Sequence, residues 1–202
     1  MMDTEPGLRE RKKQRTRETI AAAAHKLFIE RGYHETTLPE IAEAADVATR
    51  TIFAYFPSKE DILFSDLEQM KDALARAIAE RPAGRDTLET VRDFILATQD
   101  ADTSEPSAKL HHCISADPTL RSHLRARIAQ LEDVIRPAIA ADLGAREDDP
   151  RTQLVATSLT AAFNHLADRG AAKQRRWTPE ELAAQIDPVF TFLRAGLDAL
   201  KR

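Results

Sequence analysis

Cysteine and glycine are both scarce in this sequence, and each scarcity excludes a class of protein. Among 202 residues there is one cysteine, Cys113, which excludes internal disulfide bonds and zinc-finger spacing and suits a reducing cytosol. The six glycines are scattered, so the glycine-rich loops of nucleotide-binding folds are absent. No apolar run approaches the roughly 20 residues needed to span a bilayer. We therefore expect a soluble, cytoplasmic protein without a membrane partner.

Charge is nearly balanced over the chain but is unevenly distributed. The formal net charge of −4 does not by itself indicate a polyanionic partner. The segment RERKKQRTR, from Arg9 to Arg17, nevertheless has six basic residues and one glutamate. Such a segment is either a solvated, frayed tail or an arm that binds phosphate groups. Both interpretations remain open on this segment alone.

Helix-forming residues dominate the chain and predict an all-α fold of about nine helices. Ala, Leu, Glu and Arg recur at helical spacing, aromatic residues are 5% of the chain, and no segment alternates as a strand would. The first helix is predicted from about Thr16 to Arg31, and a later one from Ser58 to about Arg81. Pro137 is expected to kink or end the helix that Asp117 caps.

Two short helices joined by a tight turn have the outline of a helix-turn-helix. Thr37 and Glu40 form a capping box that opens the first helix. The turn and the second helix fall within DVATRTIFAYF, from Asp46 to Phe56. An αα-corner in any helical core has the same outline, so the faces of the second helix must distinguish the two interpretations.

The second helix is predicted to have one face in the core and one face that reads DNA. Helical spacing directs four residues toward the core: Ala48, Ile52, Tyr55 and Phe56. The opposite face then has Thr49, Arg50 and Phe53, with no acidic residue. Arg can bind guanine through two hydrogen bonds, Thr serves several bases, and an apolar ring contacts a thymine methyl group. These three are the candidate base-contacting residues.

The run TTLPEIAEAADVATRTIFAYFPSKEDIL, from Thr36 to Leu63, together with the preceding AAHKLFIERGY, resembles the N-terminal domain of TetR/AcrR transcriptional regulators. The resemblance covers about residues 13–70. It implies an all-helical homodimer with an N-terminal arm and three-helix DNA-binding domain, here residues 1–57. A C-terminal ligand-binding and dimerisation domain follows, here residues 58–202. Members of the family usually repress transcription until a small molecule binds.

Carried onto this sequence, the resemblance implies a recognition helix from Ala48 to Tyr55. It implies phosphate contacts by Thr37, Thr51, Tyr55 and Lys59, and the basic arm adds Arg11, Lys12, Lys13 and Arg15. Two positions depart from the family pattern. Asp46 stands where the family has a turn glycine, and Asp tolerates the left-handed conformation better than most residues. Phe53 stands where the family often has tyrosine, so only an apolar contact remains there.

The resemblance says less about the second half of the chain. By analogy, the last two long helices, Pro150 to Arg169 and Thr178 to Leu200, form the homodimer interface, although one chain could instead bury the same faces internally. Leu154 is among the residues predicted to face inward. The ligand pocket is expected to be lined by Phe94, Leu110, Cys113, Ile114, Leu131, Ile135 and Phe163. Ordinary core packing is the alternative for each of them.

No metal or other cofactor is predicted. The run HHC, from His111 to Cys113, suggests a metal site, but adjacent helical residues diverge by about 100° and cannot all converge on one ion. Cys113 is then predicted to be a small buried apolar residue, and thiol sensing is the alternative.

The sequence therefore predicts a DNA-binding transcriptional regulator and not an enzyme. The expected mechanism is repression at a near-palindromic double-stranded DNA operator, with release when a small, largely apolar ligand binds the C-terminal domain. Two alternatives are a small-molecule-binding helical protein without DNA function and a metal-assisted helical-bundle enzyme. No nucleophile–base pair, phosphate loop or metal spacing supports the enzyme.

Overall fold

The described residues of the protein form α-helices joined by short connections. The computed structural model describes residues 7–101, 105–172 and 177–200. Within these ranges there are eleven α-helices and no β-strand, which confirms the predicted all-α fold. None of these helices is long and apolar enough to cross a lipid bilayer. In chain order they are α1 (Leu8–Arg31), α2 (Leu38–Ala44), α3 (Thr49–Phe53), α4 (Lys59–Leu63), α5 (Ser65–Ala79), α6 (Thr87–Ala101), α7 (Glu105–Ala116), α8 (Pro118–Ala129), α9 (Glu132–Leu143), α10 (Pro150–Ala172) and α11 (Pro179–Leu200).

The helices form two compact units, and the boundary between them lies between Asp66 and Leu67. α4 belongs to the first unit because it packs against α1. The sequence-based division after residue 57 assigned this helix to the second domain, so the structural boundary lies later in the chain. The first unit thus contains α1 to α4, with the helix-turn-helix at its centre.

α1 is longer than predicted because the basic segment before Thr16 is itself helical. The helix begins at Leu8, about two turns earlier than expected. Its first residues are mainly Arg, Lys, Glu and Gln, which have high helix propensity. The Thr16 hydroxyl donates to the carbonyl oxygen of Lys12 at 3.0 Å, inside the same helix. The arm is therefore a helical extension of α1.

Two predicted helices are interrupted, which accounts for eleven helices where about nine were expected. The helix predicted from Ser58 to Arg81 is divided at Phe64 into α4 and α5. Ile62, Leu63 and Phe64 are all buried. Three consecutive residues cannot lie on one face of a continuous helix, since neighbours differ by about 100° in direction. The interruption allows all three side chains to enter the core.

The helix predicted from Asp117 is divided into α8 and α9 before it reaches Pro137. The amides of Gln130 and Leu131 donate to carbonyl oxygens three residues earlier, as in a 3₁₀ turn. Pro137 lies inside α9, and the C-cap of this helix is Gly144, which has the left-handed conformation with φ +59°. Pro137 was expected to kink or end its helix, and it does not end it.

One apolar cluster forms the core of the second unit. Residues from α5, α6 and α8 to α11 contribute to it, and fully buried members include Leu74, Val91, Ile135, Leu159 and Ile186. α11 presents its buried side chains at helical spacing, from Leu182 to Leu197. α10 and α11 pack against each other within the unit.

Candidate DNA-binding surface

α3 has one buried face and one exposed face, as predicted for a recognition helix. Ile52 is fully buried, and Phe56 just beyond the helix is almost fully buried. On the other side Arg50 is exposed and the Phe53 side chain has 55% of its surface exposed. Thr49 is half-buried at the first helical position. The buried residues hold the helix in the domain, and Arg50 and Phe53 point outward.

Two residues predicted to face the core do so less than expected. Ala48 was expected to be buried but is exposed, because it is the N-cap of α3 and lies in extended conformation outside the helical spacing. Tyr55 is half-buried. Thr51, predicted to contact phosphate, is also half-buried.

The turn between α2 and α3 is a Schellman motif with Asp46 at its left-handed position. Asp46 has φ +52°. Its amide donates to the carbonyl oxygen of Glu43 at 3.1 Å, and the Val47 amide donates to that of Ala42 at 2.9 Å. Asp46 thus adopts the conformation for which glycine is usual, and the turn is preserved without glycine.

Arg17, the last residue of the basic segment, contacts the two residues that follow the C-cap of α3. Its Nη1 donates to the carbonyl oxygen of Tyr55 at 2.9 Å. Its guanidinium also lies over the ring of Phe56. Sequence reasoning missed this contact, since nothing in the local pattern distinguishes Arg17 from its basic neighbours.

The predicted capping box at the start of α2 is present. The Thr37 hydroxyl and the Thr37 amide both donate to Glu40 Oε2, at 2.7 and 2.8 Å, and the Glu40 amide approaches the Thr37 hydroxyl. These hydrogen bonds from the Thr37 side chain and backbone, together with the nearby charge of Arg31, hold the pKa of Glu40 below its ordinary value. A DNA phosphate at this helix end would therefore compete with an ionised Glu40 for the Thr37 hydroxyl.

Lys59, predicted to contact phosphate, has partners inside the protein. Its Nζ donates to the carbonyl oxygens of Tyr33 and Thr36. The side chain is half-buried. The cation therefore ties the start of α4 to the turn before α2.

The basic arm presents its charges on the exposed first turns of α1. Arg11, Lys12, Lys13 and Arg15 are all exposed there. Lys13 Nζ lies 3.9 Å from a Glu10 carboxylate oxygen, and both side chains are largely exposed to solvent. Such a pair is weak in water, so it does not remove the positive potential of the arm.

The predicted pocket residues lie in the second unit, in different surroundings. Leu131 and Ile135 belong to its main apolar core, and Phe94 and Phe163 are partly buried against that core. On α7, Leu110 and Ile114 are buried and Cys113 is half-buried. Their packing is compatible both with ordinary core and with the lining of a ligand site.

Asn164 on α10 is a polar residue in this region that sequence reasoning did not single out. Its Nδ2 donates to the carbonyl oxygen of Thr160 at 3.3 Å. Its Oδ1 is buried and accepts no hydrogen bond from the described residues. The sequence feature that could have identified Asn164 is a single Asn within the largely apolar run TAAFNHL. Among the described residues no three His, Cys, Asp or Glu side chains are grouped so as to hold a metal ion.

α10 and α11 each expose one large apolar side chain. Leu154 has 61% of its surface exposed and Phe192 has 74%. Leu154 was predicted to face inward with Leu159, but five residues separate the two, which turns Leu154 by about 140° from that direction. The buried positions of α10 near it are Thr152, Val155 and Ala156.

Both halves of the chain match known protein families. Residues 20–65 match the family described as bacterial regulatory proteins, tetR family. Residues 85–198, more than half of the chain, match the family described as MftR C-terminal domain. The chain is 32% identical over 152 residues to the HTH-type transcriptional regulator TcmR of Streptomyces glaucescens, covering 71% of this chain and 67% of TcmR. It is 28% identical over 205 residues to the transcriptional regulator MftR of Mycobacterium tuberculosis, and this match covers 95% of this chain and 96% of MftR.

Solved structures share the arrangement of the helices. NalD of Pseudomonas aeruginosa, the secondary repressor of the MexAB-OprM multidrug efflux pump, has a TM-score of 0.60 at 22% identity and covers 88% of this chain and 96% of its own. FadR of Thermus thermophilus, a TetR-family transcriptional repressor solved in complex with lauroyl-CoA, has a TM-score of 0.55 at 27% identity. The match covers 89% of this chain and 94% of the FadR chain. These likenesses confirm a helix-turn-helix unit followed by a helical C-terminal unit.

Proposed function

The chain belongs to the TetR family of bacterial transcriptional regulators, and from this premise we propose that it is a homodimer that binds a near-palindromic operator through α3. Membership confirms the predicted class of function, a ligand-responsive DNA-binding repressor. The base-contacting residues we propose are Thr49, Arg50 and Phe53. The phosphate contacts we propose are Thr37, Thr51, Tyr55, Lys59 and the helical arm, with Arg11, Lys12, Lys13 and Arg15.

The observation that carries this proposal is the two-sided burial of α3. Ile52 is fully buried, while Arg50 and Phe53 on the other side are exposed. A guanidinium and an aromatic ring held outward by a packed helix suit the major groove, where Arg can bind guanine and an apolar ring can contact thymine. A surface helix without a partner would more often present Lys or Glu there.

Dimerisation through α10 and α11 is supported by their exposed apolar side chains. Leu154 and Phe192 would each place a large apolar surface in water in a monomer. A two-fold dimer buries such residues and places two recognition helices about 34–36 Å apart, one turn of DNA. We propose that these two helices pair with their copies in the partner protomer.

The ligand that we propose for the second unit is small and largely apolar, in keeping with the apolar residues on α6 to α10. A fatty acyl-CoA is the class to test first, because the FadR relative at 27% identity was solved with lauroyl-CoA. Lauroyl-CoA is expected to release the protein from its operator, whereas coenzyme A alone is not. Fluorescence anisotropy of a labelled operator measures this release, and a complex unaffected by lauroyl-CoA would exclude this ligand class.

We propose no catalytic role and no cofactor, and we place the regulator in the bacterial cytoplasm with the DNA that it binds. The proposed function is tested by selection of bound duplexes from a random double-stranded library. A near-palindromic sequence with two half-sites is expected to be enriched. Enrichment of no sequence, or of sequences without two-fold symmetry, would contradict the proposal.

A further inference from the structure

Phe53, the last residue of α3, keeps a large apolar ring in contact with water. It is 55% exposed, although the residue before it, Ile52, is fully buried. A single exposed apolar side chain is common on protein surfaces, but this ring shares its face of the helix with the exposed Arg50, three residues earlier. The ring and the guanidinium therefore form one outward surface of α3.

The spacing of these two side chains limits the distance between the bases that they can read. Residues three positions apart on a helix have Cβ atoms about 5–6 Å apart. Successive base pairs of DNA are stacked about 3.4 Å apart. In the major groove, Arg50 and Phe53 therefore face base pairs that lie within about two steps of each other.

A phenyl ring can sense only part of what a base presents in the major groove. Thymine presents an O4 acceptor and a C5-methyl group there, whereas cytosine presents an N4 amino donor and no methyl group. The side chain of Phe53 has neither a donor nor an acceptor, so it cannot distinguish the oxygen from the amino group. It does gain contact with a methyl group, because that contact removes apolar surface from water.

We propose that Phe53 reads the C5-methyl group of a pyrimidine within about two base pairs of the guanine that Arg50 binds. The methyl group is recognised whichever pyrimidine carries it, so 5-methylcytosine gains the same contact as thymine, and uracil and cytosine both lack it. Operator affinity then depends on cytosine methylation wherever this position holds cytosine. The inference rests on the proposed function, since it requires α3 to lie in the major groove.

Thr49 has another methyl group on the same face of α3. A threonine methyl group can also contact thymine. Thr49 is half-buried at the first position of the helix, whereas Phe53 is exposed at its end. Thr49→Ser separates the two effects, because it removes the methyl group of Thr49 and keeps the hydroxyl.

The test uses the operator that selection from the random library supplies, changed at one position in each half-site. Arg50→Ala locates the guanine, because the preference that this variant loses marks its base pair. Two pairs of duplexes then differ at a pyrimidine within about two steps of that guanine. One pair has thymine or uracil opposite adenine, and the other has 5-methylcytosine or cytosine opposite guanine. The two members of each pair differ by one methyl group alone.

The wild-type protein is expected to bind the methylated member of each pair about fourfold more tightly per half-site, which is the effect of burying one methyl group. Phe53→Ala is expected to bind both members equally, since the ring that contacts the methyl group is absent. Thr49→Ser should keep the wild-type ratio. Leu8→Ala is the matched control and should also keep it, because Leu8 is a large apolar residue exposed at the start of α1. Fluorescence anisotropy of the labelled duplexes measures these affinities.

Equal affinity of the wild-type protein for the two members of either pair would overturn the inference, and this comparison does not require a variant to fold. A ratio that persists in Phe53→Ala, or that disappears in Thr49→Ser, would also overturn it, because another residue would then contact the methyl group. Failure of the unaltered protein to select any DNA sequence would overturn the proposed function as well. Specific binding by the wild-type protein therefore distinguishes the two failures.

Discussion

Arg17 on α1 stacks on Phe56, with 4.3 Å between the guanidinium carbon and the ring centroid. The same side chain donates to the carbonyl oxygen of Tyr55, 38 residues away in sequence. Arg17 therefore joins the basic arm to the residues that directly follow α3.

Arg17→Ala is expected to lower the free energy of unfolding of the first unit by about 1–2 kcal/mol, because it removes a cation–π contact and a charged hydrogen bond. Urea denaturation followed by circular dichroism measures this loss. Arg15→Ala, at an exposed position of the same helix, is the control and should change stability by less than about 0.5 kcal/mol. Equal stability of the two variants would contradict the role of Arg17.

Arg50→Ala is expected to weaken operator binding by about 1–3 kcal/mol and to relax the preference at one base pair of each half-site. Lys12→Ala should instead weaken binding to all sequences alike, since a phosphate contact does not read bases. Affinities for a set of operators with single base-pair changes measure both effects. A uniform loss in Arg50→Ala would show that this residue does not read a base.

Asp46→Val is expected to destabilise the protein by about 1–2 kcal/mol, since a β-branched residue tolerates φ +52° poorly. Asp46→Gly should leave stability within about 1 kcal/mol of the wild type or raise it, because glycine adopts this conformation without steric cost. Thermal unfolding of the two variants and of Asp46→Asn, which also tolerates the left-handed conformation, provides the comparison. A stable Asp46→Val would argue against this turn geometry.

Leu154→Arg and Phe192→Arg are each expected to dissociate the dimer, because a charge replaces an apolar side chain that the interface would bury in both protomers. Burial of such a side chain contributes about 1.5–3 kcal/mol, so the dimer dissociation constant should rise at least tenfold. Sedimentation equilibrium measures this constant. Gln153→Arg, also exposed on α10, is the control. Dimers that persist in both variants would place the interface elsewhere.

Much of the first unit could be predicted because its signals are local. The capping box at Thr37 links residues three positions apart, and it is present in the structure. The burial of Ile52 and Phe56 follows from helical spacing alone. The left-handed turn at Asp46 could also be anticipated, because few residues adopt positive φ and Asp is one of them.

The sequence by itself thus determined the all-α class, the position of the helix-turn-helix and the outward direction of Arg50 and Phe53, since these depend on short-range periodicity and capping. Only the tertiary structure decided which cations are held inside the protein. Lys59 donates hydrogen bonds to carbonyl groups 26 and 23 residues away in sequence, and no local pattern predicts such partners. The interruption at Phe64 and the exposure of Leu154 were also decided only by the tertiary structure, because the shape of the core determines which side chains it can enclose.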